Sequence, residues 1–177
     1  MHRQNLTEKL DRYYPKDNRE KSDRIKILRF LRDHENCFER SLSVGHFTAS
    51  CWLENRDGTK FLLTLHRKVK MWLQLGGHAD GDPDLIRVAL KEAREESGLK
   101  NIGLLSEEIF DVGVHPIPEY KGTPAHYHYD VRFLMRAEDE NETIQISEES
   151  EDLQWFSEVP TDNCDLNRMF EKWKNLQ

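Results

Sequence analysis

The sequence predicts an α/β fold: a mixed sheet with helices on its faces, preceded by an N-terminal helical extension. Three observations carry this. Extended, apolar-rich stretches lie on both sides of a helical pattern at residues 84–97. A second amphipathic helix closes the chain. Residues 5–35 read as helix before any strand pattern begins. Strands, helix, strands, helix is an order from which layered α/β domains are built.

In the N-terminal segment, Ser22 is placed to cap a helix carrying Ile25, Ile27, Leu28 and Leu31, with charged residues between them. From Gly45 the period changes. HFTASCWLE and KFLLTLHR read as strands, and Asp57-Gly58 between them is a hairpin signal. The short apolar run MWLQL leads into Gly76-Gly77. The helix expected at 84–97 ends at Gly98, a residue suited to the left-handed cap. IGLLSEEIFDVGVHPI reads as one or two strands, and PIPEYKGTPA, with three prolines, as a loop. HYHYDVRFLMRA is a strong strand, and TIQISEES and LQWFSEVP continue extended. Thr161 or Asp162 is expected to cap the last helix, whose apolar face holds Leu166, Met169, Phe170, Trp173 and Leu176.

The chain has 177 residues, enough for one domain with an added segment, and 37% are hydrophobic. Its net charge of −7 argues against general nucleic-acid binding, because a phosphate backbone would be repelled, and is compatible with bound divalent cations. The three cysteines, Cys37, Cys51 and Cys164, form no CxxC pair, so neither a disulfide framework nor a zinc–thiolate site is expected and a reducing, cytoplasmic setting is. No leader-like N-terminus and no membrane span are read from the pattern.

The stretch GGHADGDPDLIRVALKEAREESGL concentrates the chemistry. On a helical wheel Ile86, Ala89, Leu90 and Ala93 form one stripe. Glu92 and Glu96 sit at its edge with Glu95 just beyond, while Arg87, Lys91 and Arg94 face outward. Like charges three and four apart oppose a helix by a few tenths of a kcal/mol per pair. A solvated, salt-bridged face accounts for KEAREE taken alone. It does not account for the two glycines beside it, which admit close backbone approach and a carbonyl that would join the carboxylates. Hard oxygen ligands of this kind suit Mg²⁺ or Mn²⁺.

This stretch resembles the signature of the Nudix hydrolase family: Gly, five residues, Glu, seven residues, then Arg-Glu-apolar-x-Glu-Glu-x-Gly-apolar. Gly77 takes the first place and Lys91-Glu92-Ala93-Arg94-Glu95-Glu96-Ser97-Gly98-Leu99 the last nine, without a gap. With the strands before it and the QWF after it, the resemblance spans about residues 43–175. It implies an α/β/α sandwich for residues 43–177, with 1–42 as the helical extension. Two positions depart from the signature: Pro83 replaces its first Glu and Lys91 its Arg. In the family these two support the loop through a charge pair, so their joint loss is self-consistent, and Asp82 or Asp84 is placed to reach Lys91 instead. Pro83 also suits the first turn of a helix.

The resemblance further implies a metal-dependent pyrophosphohydrolase that cleaves the diphosphate linkage of a nucleoside diphosphate derivative, of the nucleotide or nucleotide-sugar class, with Mg²⁺ or Mn²⁺. Glu92 and Glu96 are the implied metal ligands, completed by the Gly76 carbonyl. Glu95 is implied as a further ligand or as the group that handles the water's proton. Glu149, in SEESEDLQW, is favoured over Glu148 and Glu151 as an added catalytic acid. His126, His128 and Asp130 share one strand face, and a His-x-His pair suits metal or phosphate. Arg67 and Lys70 precede the glycines and are candidates for substrate phosphate, as are His126 and His128, although for each taken singly a basic hairpin edge or a polar strand face is the simpler reading. Trp52, Trp72 and Tyr120 are candidates to stack on a base, or core. The alternatives are a non-catalytic Nudix-like module binding a nucleotide or a protein, and an isopentenyl-diphosphate isomerase-like enzyme with Cys51 as the reactive thiol. For residues 1–42 a lid, a homodimer contact and plain packing all fit.

Overall fold

A computed structural model of the chain describes residues 2–120 and 122–177. Helices α1 (His2–Arg12) and α2 (Asn18–Asp33) come first. They are the helical segment read over 5–35, divided into two. The chain breaks at 13–17, around Pro15, and the Asp17 side chain accepts from the Glu20 N–H, so Asp17 rather than Ser22 caps α2.

Strands β1 (Gly45–Glu54), β2 (Phe61–His66), β3 (Met71–Leu73) and β4 (Leu75–His78) follow, then α3 (Leu85–Ser97). Asp84 caps α3 by accepting from the Arg87 N–H, and Gly98 ends it at φ 72°, as expected. Pro83 lies before this cap and not in the first turn. Beyond α3 come β5 (Ile102–Leu104), β6 (Asp111–Ile117), β7 (His126–Ala137), β8 (Ser150–Phe156) and α4 (Cys164–Lys174). Asn163 caps α4 in place of Thr161 or Asp162, its side chain accepting from the N–H groups of Asp165 and Leu166. Leu176 lies past the end of α4 and is exposed, so it leaves the apolar face that Leu166, Met169, Phe170 and Trp173 do bury.

The eight strands form one mixed sheet. Its central pair is parallel: β1 and β7 run together from Gly45↔Tyr127 to Glu54↔Arg136. Every other pairing is antiparallel. The free edge of β1 is divided between β4, along Thr48–Cys51, and β2, at Glu54. The outer edge of β7 is divided in the same way between β6 and β5. Each central strand thus has its outer edge shared between two partners.

Two apolar clusters fill the two faces. The larger joins Phe47, Ala49, Cys51, Val131, Phe133 and Met135 of the central pair to Leu85, Val88, Ala89 and Ala93 of α3. The same cluster takes in Leu6, Leu10, Ile27, Phe30 and Leu31 of the N-terminal helices, where Phe30 stacks on Tyr129 with centroids 3.8 Å apart. The smaller holds Trp52, Phe61, Leu63 and Leu134 against Leu166, Met169, Phe170 and Trp173 of α4. Helices on both faces of a mixed sheet make an α/β/α sandwich, the expected class. Among the described residues no helix is long and apolar enough to cross a membrane.

Candidate active site

The site lies where β4 meets α3. Gly76 pairs with Ser50 and Gly77 with Ala49 across the β1–β4 ladder, which fixes the glycines against the central sheet. Helix α3 presents its three carboxylates at graded depth. Glu96 is only 7% exposed, while the Glu92 and Glu95 side chains are 16% and 59% exposed. Glu96 therefore belongs to the buried seam, deeper than its place at the edge of the stripe suggested.

Both glycines are needed by their surroundings. A Cβ on Gly77 would overlap the Glu92 carboxylate, and one on Gly76 would overlap Ser50 and the Ala49 carbonyl. The Gly76 N–H donates to Glu96 Oε2 at 3.0 Å. Burial raises the Glu96 pKa to about 8; the nearby charges of Glu92 and Glu149 add to this and the Gly76 N–H opposes it. Glu149 itself is exposed in the loop before β8, yet its charge is felt at Glu96. The structure thus brings Gly76, Glu92 and Glu96 to one place, with Glu149 near enough for its charge to act on Glu96. Glu95 stands at the rim.

Lys91 does not reach Asp82 or Asp84. Its ammonium lies 3.0 Å from carboxylate oxygens of both Glu92 and Glu95, whose hydrogen bonds, that of Glu95 foremost, raise its pKa. Asp82 is taken by Arg87, at 2.7 and 2.6 Å, and Asp84 by the helix cap.

Arg67 and Lys70 are engaged by β8 and its approach, and the Arg67 backbone N–H donates to the Glu149 carbonyl at 2.9 Å. Arg67 donates to the carbonyls of Glu148 (2.9 Å) and Ser150 (2.7 Å), and Lys70 pairs with Glu151. Trp52 is core, packed on Phe61 and Trp173, and Trp72 packs edge-on against Phe156. Tyr120 is exposed. Cys51 is fully buried, and burial, with the charges of Glu96 and Asp130, drives its thiol pKa up. A neutral, enclosed thiol is no acid or nucleophile, which removes the residue an isomerase reading needs.

His126 and His128 do share a face, and they meet His46 and His78 there. Desolvation first, then neighbouring positive or imidazole groups, hold the pKa near 4 for His46 and His78 and near 3 for His128. These three rings are neutral at neutral pH and offer no charge to a phosphate.

Sequence reasoning missed the ionic centre beneath this face. Arg132, 1% exposed, donates to Asp130 and Asp111 at 2.7 Å each. Asp130 also accepts from Thr48 and Ser50. Arg168 and Lys172 of α4 bind Asp111 in turn, and Lys172 reaches Glu20 of α2. Only the in-strand spacing of Asp130 and Arg132, which puts both on one face, hinted at it.

With this geometry in place, the comparison with known proteins decides the family. The model of the NUDIX domain matches residues 45–160. The chain belongs to the Nudix family. A Nudix hydrolase acts on phosphoanhydride bonds. Solved Nudix structures share the fold. A Nudix hydrolase from Clostridium perfringens is 24% identical, with a TM-score of 0.55 over 75% of this chain and 98% of that one. An Ap4A hydrolase from C. elegans is 17% identical, with a TM-score of 0.56 over 73% and 96%. A MutT protein from Methanosarcina mazei Go1 is 16% identical, with a TM-score of 0.55 over 73% and 93%. Among curated proteins none matches the chain in sequence.

Nudix hydrolases generally use a divalent metal, and the donor set fits one. Burial first, and then the charges of Glu92 and Glu149, raise the Glu96 pKa, so a cation there would favour its ionised form. Gly77 leaves open the space that the Glu92 carboxylate fills. All the donors are oxygens, as Mg²⁺ and Mn²⁺ prefer.

Proposed function

We propose that this Nudix hydrolase cleaves the diphosphate linkage of a nucleoside diphosphate derivative, of the nucleotide or nucleotide-sugar class, with Mg²⁺ or Mn²⁺ held by Glu92, Glu95, Glu96 and the Gly76 carbonyl. The observation that carries this is Glu96: a buried carboxyl at a glycine N–H, in the field of Glu92 and Glu149, with its pKa raised to about 8. The bound cation would neutralise charge on the phosphate oxygens and acidify water. Glu96 and Glu92 set the depth of the site, since one is anchored by Gly76 and the other is packed on Gly77. Glu95 and Glu149 are the two carboxylates exposed enough to accept a proton from attacking water. Lys91 holds Glu92 and Glu95 in register, a scaffold role like that of the arginine it replaces, with a point charge in place of a planar fork.

The test is a panel of nucleotide derivatives, including Ap4A because one neighbour in fold is an Ap4A hydrolase, assayed with Mg²⁺ and with Mn²⁺. The reading expects phosphate or nucleotide release that disappears on chelation. Turnover without any divalent metal would overturn it.

A further inference from the structure

At one end of the sheet, where β1, β4 and β7 lie side by side, four imidazoles converge. His46 stands opposite His128 in the parallel register, and His78 projects beside Thr48 of the same central strand. The His46 ring centre lies 5.0 Å from those of His78 and His126 and 4.9 Å from that of His128. Nε2 of His128 is 3.3 Å from Nε2 of His78 and 3.2 Å from Nε2 of His126. One ring nitrogen from each of His46, His78 and His128 lies within 4.8 Å of the others.

Three features show that this is more than ring stacking. First, a tetrahedral ion with metal–nitrogen bonds of about 2.0–2.1 Å separates its ligand atoms by about 3.3–3.4 Å. The His78–His128 Nε2 separation, 3.3 Å, is already that edge length, and the His126–His128 separation, 3.2 Å, falls just short of it. Second, the proton accounting favours lone pairs at the centre. Nδ1 of His126 is 2.8 Å from the Pro124 carbonyl, which only accepts, so Nδ1 carries a hydrogen, and the tautomer with its one hydrogen there turns the Nε2 lone pair toward His128. A single hydrogen on His128 Nε2 serves only one of its two nitrogen neighbours well. A ring nitrogen tied to a carbonyl while the other points inward is also the arrangement that orients metal-binding histidines. Third, His46 is 5% exposed and neither of its ring nitrogens has a hydrogen-bond partner. The Leu42 carbonyl exerts a weak pull on it without forming a hydrogen bond. A buried donor or acceptor left unpaired is costly, and a ligand at the centre would remove that cost.

We propose that His46, His78 and His128, with His126 as a fourth imidazole, form a site for a transition-metal ion of the Zn²⁺ class. Nitrogen donors select such ions over Mg²⁺. The carboxylate nearest in register, Asp130, is already engaged by Thr48, Ser50 and Arg132, so no oxygen from it competes. The site is separate from the carboxylate centre. Alternation along β4 sends His78 to the face opposite that on which the missing Cβ of Gly77 points at Glu92. A metal here would tie β1, β4 and β7 together directly beside the glycine pair, and its existence does not depend on the hydrolytic reading above.

The experiment uses the full chain, stripped by a chelator and held in excess Mg²⁺ to fill carboxylate sites. Co²⁺ is titrated in and followed by its visible absorption, with Zn²⁺ as competitor and thermal melting as a second readout. The expected result is one equivalent of nitrogen-ligated Co²⁺, displaced by Zn²⁺, with a higher melting temperature on loading because the ion binds the native state. His128→Ala should weaken binding by more than the roughly 10–100-fold that losing an outer-shell partner costs. His78→Asn serves as the second variant should His128→Ala fold poorly, and should weaken binding in the same way. Glu92→Gln should leave Co²⁺ binding unchanged. Absence of Co²⁺ and Zn²⁺ binding in Mg²⁺, binding that survives both histidine variants, or binding lost with Glu92→Gln would each overturn the proposal.

Discussion

Replacing Gly77 by alanine separates the chemistry of the site from the stability of the fold. Gly77 is not one of the glycines with positive φ, so alanine meets no backbone strain there. What it meets is the Glu92 carboxylate. The new Cβ would fall about 1 Å short of ordinary contact with Glu92 Cδ and one oxygen, so the carboxylate must retreat by about that distance. The far end of a flexible side chain yields cheaply, and the melting temperature should barely change. Turnover should not be spared, because a misplacement of about 1 Å at a reacting centre costs on the order of 100-fold, or about 2.7 kcal/mol of barrier. Gly76→Ala is the contrast: its Cβ would be driven into Ser50 and the backbone carbonyl of Ala49, which cannot withdraw, so this variant should fold poorly. The assay is metal-dependent kcat on a panel-identified substrate, with melting as the control. A folded Gly77→Ala variant with full kcat would refute the placement of Glu92 at the reacting centre.

The other expectations follow the same geometry. Lys91→Ala should lower turnover far less than loss of a carboxylate, since exposed ion pairs contribute about 0–1 kcal/mol, and a loss as severe as that of Glu96→Gln in a folded protein would place Lys91 on the substrate. Arg132→Met should destabilise by about 3–5 kcal/mol in denaturant unfolding, because it leaves Asp130 buried without its cation; a change under about 1 kcal/mol would mean that the pairs had offset nothing. Acid should unfold the chain in a defined window. Burial pushes the carboxyls of Asp111, Asp130 and Asp165 up, but Arg132, Arg168 and Lys172 outweigh it and hold them below the ordinary range. The unfolded chain then takes up protons near pH 4 that the native state refuses, so this stability is complete above about pH 4 and falls as the pH drops below it. A melting temperature that stays flat from about pH 5 to about pH 2 would contradict the pairing.

The carboxylate site was legible because it is local. Gly77 lies on β4 and Glu92 and Glu96 on the helix that follows it, and 3.6-residue periodicity with a glycine pair is enough to align them. Caps were less legible. Asp17, Ser22, Thr161, Asp162 and Asn163 all carry side chains able to accept from a helix N–H, and only the path of the chain chooses among them. Pro15 did mark the break between α1 and α2. The ionic centre was hidden for a different reason. Asp111, Arg132 and Arg168 read singly as surface charges, and their burial is created by α4 closing over β6 and β7 from far along the chain. The histidines were half legible: His126-x-His128 shares a face by strand alternation, whereas His46 and His78 join them through the β1–β7 and β1–β4 registers, which no local pattern encodes.

The most direct test of the carboxylate centre is the divalent-metal dependence of turnover in Glu96→Gln. Glutamine keeps the size of the side chain and can still accept from the Gly76 N–H, so the fold should persist with an unchanged or higher melting temperature. The ligand charge is lost, and Mg²⁺ or Mn²⁺ should no longer restore the rate, which falls by several kcal/mol of transition-state stabilisation. A folded Glu96→Gln variant with wild-type turnover and wild-type metal dependence would contradict the assignment.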